Sequence, residues 1–318
     1  MNQGSGFFIS YAHEDATYVA RLVNHLRGFD LPLWSDDDLT VGARFTQEIR
    51  ERIRSAFAVI VVMSPEAEVS EWVEREILEG QLRGCDFVPI LLKGERLFLL
   101  ACTNYFDARD GALPDEPVIR LLRDIRDARG PGADRRPSPM LSAPVARLLA
   151  RTAHIPLDIS LQKLWNFLEE EQIEHADIVT TSLLLQSVGR LECGWMRRAD
   201  GENLSFSLLA DIDTVWSKFS RGAQGFRTQL SLHQSHPVGA PAGRQRDFTS
   251  LALSVGWKST RGDTMPRYEH FVTAKSYPVG FFPTLRNPQV ERRQGWHDRW
   301  LETVMAVHLQ LRKWEGRG

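Results

Sequence analysis

The stretch that most constrains this chain is Phe57-Ala-Val-Ile-Val-Val-Met63 together with the segment after it, Ser64 to Gly80. A bounded, β-branched apolar run of this length reads as a strand buried on both faces. Ser64-Pro65 ends it. Ser70 is a candidate N-cap for a helix beginning Glu71-Trp72-Val73-Glu74-Arg75-Glu76-Ile77. Trp72 and Glu76 are four residues apart, so an indole and a carboxylate share one helical face. A helix leaving the carboxyl end of a buried parallel strand starts at the usual ligand crevice of an α/β sheet. Alone, a Glu in the first turns of a helix is more often a solvated partner of the helix dipole, and a helical Trp more often core.

The flanking sequence repeats the strand-then-helix rhythm. Gly6–Tyr11 is a short apolar strand, and Ala12-His-Glu-Asp15 a polar turn. Asp15 is placed to N-cap a helix carrying Tyr18, Val19, Leu22, Val23 and Leu26, which Gly28 stops. Leu31–Trp34 is a second strand. An acidic loop follows, Ser35-Asp-Asp-Asp-Leu-Thr-Val-Gly42, then a helix with Phe45, Ile49 and Ile53 on its apolar side. Cys85–Leu92 and Asn104–Asp107 are further strands, and Val118–Arg129 a helix. Such alternation implies a parallel sheet covered on both faces. Glu74 and Glu79 are expected on the surface.

The ordered motifs FISYAHED, LWSDDDLTVGARF, AVIVVMSPEAEVSEWVEREI and FVPILL, spanning about residues 5–130, resemble the Toll/interleukin-1 receptor (TIR) family. The resemblance implies an α/β, flavodoxin-like domain with a central parallel sheet of about five strands. It also implies a recognition loop near residues 36–45. Some family members only assemble as adaptors. Others, many of them bacterial, cleave NAD+ at the nicotinamide–ribose bond, and these carry a glutamate four residues after a tryptophan. Here those positions are Glu76, as the catalytic residue, and Trp72, with Ser70 before them. Trp72, Trp34, Phe8, Ser10, Tyr11 and Phe45 are the expected substrate-binding residues. NAD+ is expected as substrate, with no cofactor and no metal, although the three acids of the loop invite the thought of a cation.

The length of 318 residues favours two domains, and 42% hydrophobic with 25% charged residues is ordinary globular composition. The net charge of −2 hides an asymmetry. Residues 1–130 hold 15 basic and 22 acidic side chains, and the remainder 24 and 19. No dense basic run favours nucleic acid. No apolar run reaches membrane-spanning length, and a basic-then-apolar leader is missing, so a cytoplasmic protein is expected. The three cysteines form no CxxC.

We expect a domain at 1–130, a Gly/Pro/Ser-rich linker at 131–144 and a second domain at 145–318. The last is expected to be mixed α+β, with helices at 159–172, 178–191 and 296–314. Antiparallel strands are expected near Leu204–Leu209, Thr228–His233, Phe248–Trp257 and His270–Ser276. It is assigned a sensing or assembly role. The expected function is an NAD+ glycohydrolase that assembles as a homo-oligomer through its TIR domain. Among bacterial relatives such proteins act in antiviral defence, silent until a cyclic nucleotide or protein activator arrives. The alternatives are a non-enzymatic adaptor and a cyclase that makes a cyclic ADP-ribose.

Overall fold

The computed structural model describes residues 6–34, 45–129, 157–234, 244–273 and 276–315. The acidic loop with Asp36, Asp37, Asp38 and Gly42, the 131–144 linker and the Gly239–Gly243 loop lie outside them. The chain divides into two compact units, Met1–His154 and Ile155–Gly318.

In the first unit the order is β1 (Phe7–Ser10), α1 (Ala16–Arg27), β2 (Leu33–Trp34), α2 (Phe45–Ser55), β3 (Ala58–Met63), α3 (Pro65–Val69), α4 (Glu71–Leu82), β4 (Asp86–Leu91), β5 (Phe106–Asp107) and α5 (Glu116–Arg129). The five strands form one parallel sheet, ordered β2-β1-β3-β4-β5. All six residues of β3 are buried, as a continuous apolar run in a covered parallel sheet requires. Period-two alternation turns Phe7 and Ile9 into a core shared with α1 and α5, where Tyr18, Leu22, Leu26, Ile119 and Leu122 are buried. Gly80 of α4 allows close approach on the sheet, since a Cβ there would lie 2.7 Å from the Phe87 ring and 3.5 Å from Val59.

The second unit is helical where antiparallel strands were expected. Its elements are α6 (Leu157–Glu169), α7 (Ile173–Ser187), α8 (Arg198–Gly201), α9 (Phe206–Phe219), α10 (Phe226–Gln234), α11 (Arg244–Ser254), α12 (Tyr268–Phe271) and α13 (Trp296–Glu315). The supposed strands fall on or beside α9, α10, α11 and α12. Their short alternations belong to longer helical repeats: Leu208, Leu209, Ile212, Val215 and Trp216 are buried in α9, and Phe248, Leu251, Ala252 and Val255 in and just after α11. Helices α6 and α13 match the expected ones closely, and α7 begins five residues before the expected 178–191 and ends at Ser187. Helix α7 is buried from His175 through Leu185 and forms the centre of the unit.

A buried segment without regular secondary structure, Gly280–Asn287, threads this unit. Asp177 of α7 accepts the Thr284 N–H (2.7 Å) and the Tyr268 hydroxyl (2.8 Å). The Arg286 guanidinium bonds Glu291 (2.6 Å) and the Pro266 carbonyl (2.8 Å), beneath the rings of Phe271, Trp296 and Trp300. Among the described residues of the chain, no helix is long and apolar enough to cross a membrane.

His308 on α13 is buried, and neither ring nitrogen meets a hydrogen-bond partner among the described residues. Burial, with His233 and Arg312 nearby, lowers its pKa from 6.5 to about 3. The folded state therefore binds fewer protons at this ring than the unfolded chain does. Its stability contribution is complete above pH 6.5 and is lost progressively towards pH 3. Asp177 acts in the opposite sense, because burial raises its pKa to about 6 and the folded state favours its protonated form. His308→Leu should raise stability at pH 7 by about 1 kcal/mol or more. It should also flatten the loss between pH 6.5 and 4, whereas Asp177→Asn, which removes the opposing contribution, should steepen it. Thermal melts of the full chain across this range check both.

Candidate active site

A cavity of about 370 Å³ opens at the carboxyl edge of the sheet, lined by Tyr11, Ala12, His13, Glu14, Ile49, Glu66, Val69, Ser70, Trp72 and Glu76. Its volume is that of a small-molecule site, roughly 300–1,000 Å³. Apart from Ile49, its wall comes from the segments that follow β1 and β3. These neighbouring strands run out to opposite sides of the sheet, and crevices form where strand order reverses in this way.

Two serines organise the β3 side. The Ser64 hydroxyl accepts the Ala67 N–H at 3.1 Å and caps α3. Ser70 ends α3 and caps α4 through the Val73 N–H at 3.4 Å. This double start turns α4 so that Trp72 and Glu76 face the cavity together. Glu76 is only 2% exposed, and Trp72 is 49% exposed at the mouth beside Val69 at 80%. Glu68 accepts the Phe98 N–H through both carboxylate oxygens, which fastens α3 to the turn at Phe98–Leu100.

Asp15 does not serve as a side-chain cap for α1. It is buried, accepts the Ser64 hydroxyl and bonds the Lys93 ammonium at 2.9 Å. This hydrogen bond and the carboxylate charge raise the Lys93 pKa. Glu79 is also buried rather than exposed, paired with Arg83 at 2.8 Å. Helix α4 is buried continuously from Glu76 through Gln81, and Glu79 lies within that stretch.

Of the residues expected to bind substrate, the cavity gathers Tyr11, Trp72 and the catalytic candidate Glu76. Ser10 ends β1 just before the lining begins and is buried, its hydroxyl meeting no partner among the described residues. Phe8 is buried within the domain and is not in the lining. Trp34 lies at the outer edge of the sheet, packed over Gly6 and 5.9 Å beneath the Arg52 guanidinium, away from the lining. Phe45 begins α2, and its side chain lies outside the described residues, as does the recognition loop. His13, Glu14, Ile49, Glu66 and Val69 had not been singled out. Four of the five lie just after β1 and β3, where chain position at a switch point could have found them. Among the described residues no three His, Cys, Asp or Glu side chains group as metal ligands.

An open parallel sheet in this order, with a buried acid and an exposed indole at its switch-point crevice, defines a flavodoxin-like α/β domain. Residues 7–122 match the family model of the TIR domain, and this part of the chain is a TIR domain. Residues 156–298 match a second family model, described as GUN4-like. Among solved structures, the TIR domain of the Toll-related receptor TRR-2 from the lower metazoan Hydra magnipapillata is 29% identical. That likeness covers 38% of this chain and 97% of the other, with a TM-score of 0.33. No curated protein matches the chain.

Ser64→Ala should remove the donor to the buried Asp15 carboxylate and the cap of α3 together. The expected loss is about 2–3 kcal/mol of stability in the first unit, read by urea unfolding. Ser70→Ala, which removes only a long cap bond, should cost about 1 kcal/mol or less.

Proposed function

We propose that the TIR domain is an NAD+ glycohydrolase, with Glu76 as its catalytic carboxylate and Trp72 as a ring platform. The observation that carries this reading is the convergence of a buried glutamate and an exposed indole on one cavity at the switch point. The nicotinamide–ribose bond joins a sugar carbon to a pyridinium nitrogen. As it breaks, the bonding electrons pass to nitrogen, nicotinamide leaves neutral, and positive charge spreads over the ribose ring. A carboxylate beside that ring stabilises the oxocarbenium-like transition state, as acids do in glycoside hydrolysis. Because nicotinamide leaves as a neutral base, no general acid is required. Water then captures the sugar, giving ADP-ribose and a proton. The Trp72 face suits a flat cationic ring.

Unchecked cleavage of NAD+ would drain the host cell. We therefore assign the helical second unit a receiving role, in which a nucleotide or protein signal drives assembly of TIR domains, as in an antiviral effector. A second reading is supported by the exposed Val69 and Trp72 beside the mouth, since apolar side chains in such a place also suit a scaffold that only assembles.

The purified full chain, assayed at high concentration with a crowding agent to favour assembly, should release nicotinamide from NAD+. Glu76→Ala should lower kcat on the order of 10³-fold, and Trp72→Ala should raise KM. Chromatography of the second product separates ADP-ribose from a cyclised isomer. Equal turnover by wild type and Glu76→Ala would remove Glu76 from the mechanism.

A further inference from the structure

Glu66 stands on α3 in the wall of the same cavity as Trp72 and Glu76. Its Oε2 is shielded from solvent and meets no hydrogen-bond donor among the described residues. Lys93 lies within electrostatic reach of Glu66 and Glu14, yet its ammonium is bonded to Asp15. Rotation about the last side-chain bond of a glutamate is nearly free, so either oxygen can turn towards the cavity. The described lining holds three glutamates and one histidine, and neither lysine nor arginine. Such a wall attracts a cation and repels a phosphate.

We propose that Glu66 is a specificity residue of this cavity, its carboxylate selecting a positively charged pyridinium ring over the neutral form of the same ring. The inference rests on the nicotinamide reading of the site and assigns Glu66 a part separate from that of Glu76. In bound NAD+ the positive charge sits on the ring, and bond cleavage moves it to the ribose. A carboxylate beside the ring therefore stabilises the ground state, whereas one beside the ribose stabilises the transition state. Removing the Glu66 charge therefore raises KM and raises kcat with it, leaving kcat/KM little changed. The same selectivity separates substrate from product, since released nicotinamide is neutral and loses this attraction. It also excludes the reduced dinucleotide, whose ring carries no charge. With no basic group in the described lining to hold the diphosphate, the nicotinamide-riboside end is the part that enters.

The test uses equilibrium binding, independent of turnover. The full chain is titrated by ligand-observed NMR with 1-methylnicotinamide, a permanent cation, and with neutral nicotinamide. Wild type should prefer the cation. Glu66→Gln should weaken the cation about five- to tenfold and leave nicotinamide within about twofold. Glu66→Asp, which keeps the charge, should recover most of the preference. Equal affinity of wild type for the two probes would overturn the proposal, and so would failure of the cation to bind at all. An equal loss of both probes in Glu66→Gln would show a merely structural role and overturn it too. A cation preference that depends on Glu66, in a protein that releases no nicotinamide from NAD+, would remove the hydrolase reading and leave the subsite standing. Turnover with an unchanged preference in Glu66→Gln would do the reverse.

Discussion

The buried carboxylate of Asp15 joins three strands that are distant in sequence. It follows β1, accepts the hydroxyl of Ser64 at the end of β3, and bonds Lys93 just after β4. A carboxylate removed from water is costly unless its oxygens are met, and here one neutral and one charged donor meet them. The hydroxyl that donates to Asp15 also accepts the Ala67 N–H, so the bond that closes the rim also starts α3. Helix α3 hands the chain to Ser70, and Ser70 starts α4. The direction in which Glu76 enters the cavity thus descends from one hydrogen-bonded junction at the sheet edge.

That junction also shows where reading the sequence stops. Strand β3 was legible because six consecutive apolar residues admit few other environments. Helices α1 and α2 were legible because each carries a regular apolar stripe, whereas the five-residue α3 was not read at all. Asp15 looked like an N-cap because its residue type and its place before a helix are those of a cap. Its partners lie 49 and 78 residues away, and no local rule reaches that far. Glu79 failed for a related reason: an acid on a helix reads as solvated, and its burial beneath the partly exposed Arg83 and Arg50 side chains depends on how α4 packs.

The second unit was misread through window length. Six residues such as Thr228–His233 alternate well enough for a strand, and only the recurrence of Phe226 and Leu230 at helical spacing reveals α10. Helix α7 gives weak amphipathic signal because it is buried on every side, and Thr180, Thr181 and Asp177 are hydrogen-bonded within the unit. Thr180 accepts the Trp216 indole N–H at 3.0 Å, and Asp177 holds the threading segment through Thr284. A helix of this kind carries polar residues as interior fasteners, which a pattern-based reading assigns to a surface. Of the candidate site, Glu76 and Trp72 were legible from the TIR resemblance together with their spacing, and Tyr11 from its place at the end of the first strand. Glu66 and Glu14 were not, because single acids in polar turns carry no signal until the fold sets them around one space.

Burial gives the acid in this site its leverage. A solvated carboxylate offers little to a cation forming beside it, because water screens the pair. At 2% exposure, Glu76 is placed where its field is weakly screened and little solvent must reorganise as charge develops. The same burial makes the anion costly to hold in the empty site, a cost the surrounding fold must carry. Trp72 has the complementary placement, half exposed at the mouth, where an arriving flat ring can cover it. In the proposed NAD+ hydrolase, acid inside and aromatic at the entrance would set an order of events: the ring captured first and the sugar presented to the carboxylate second. An exchange of the two side chains would keep their spacing on α4 and lose that order, so the face on which each stands matters as much as the interval between them.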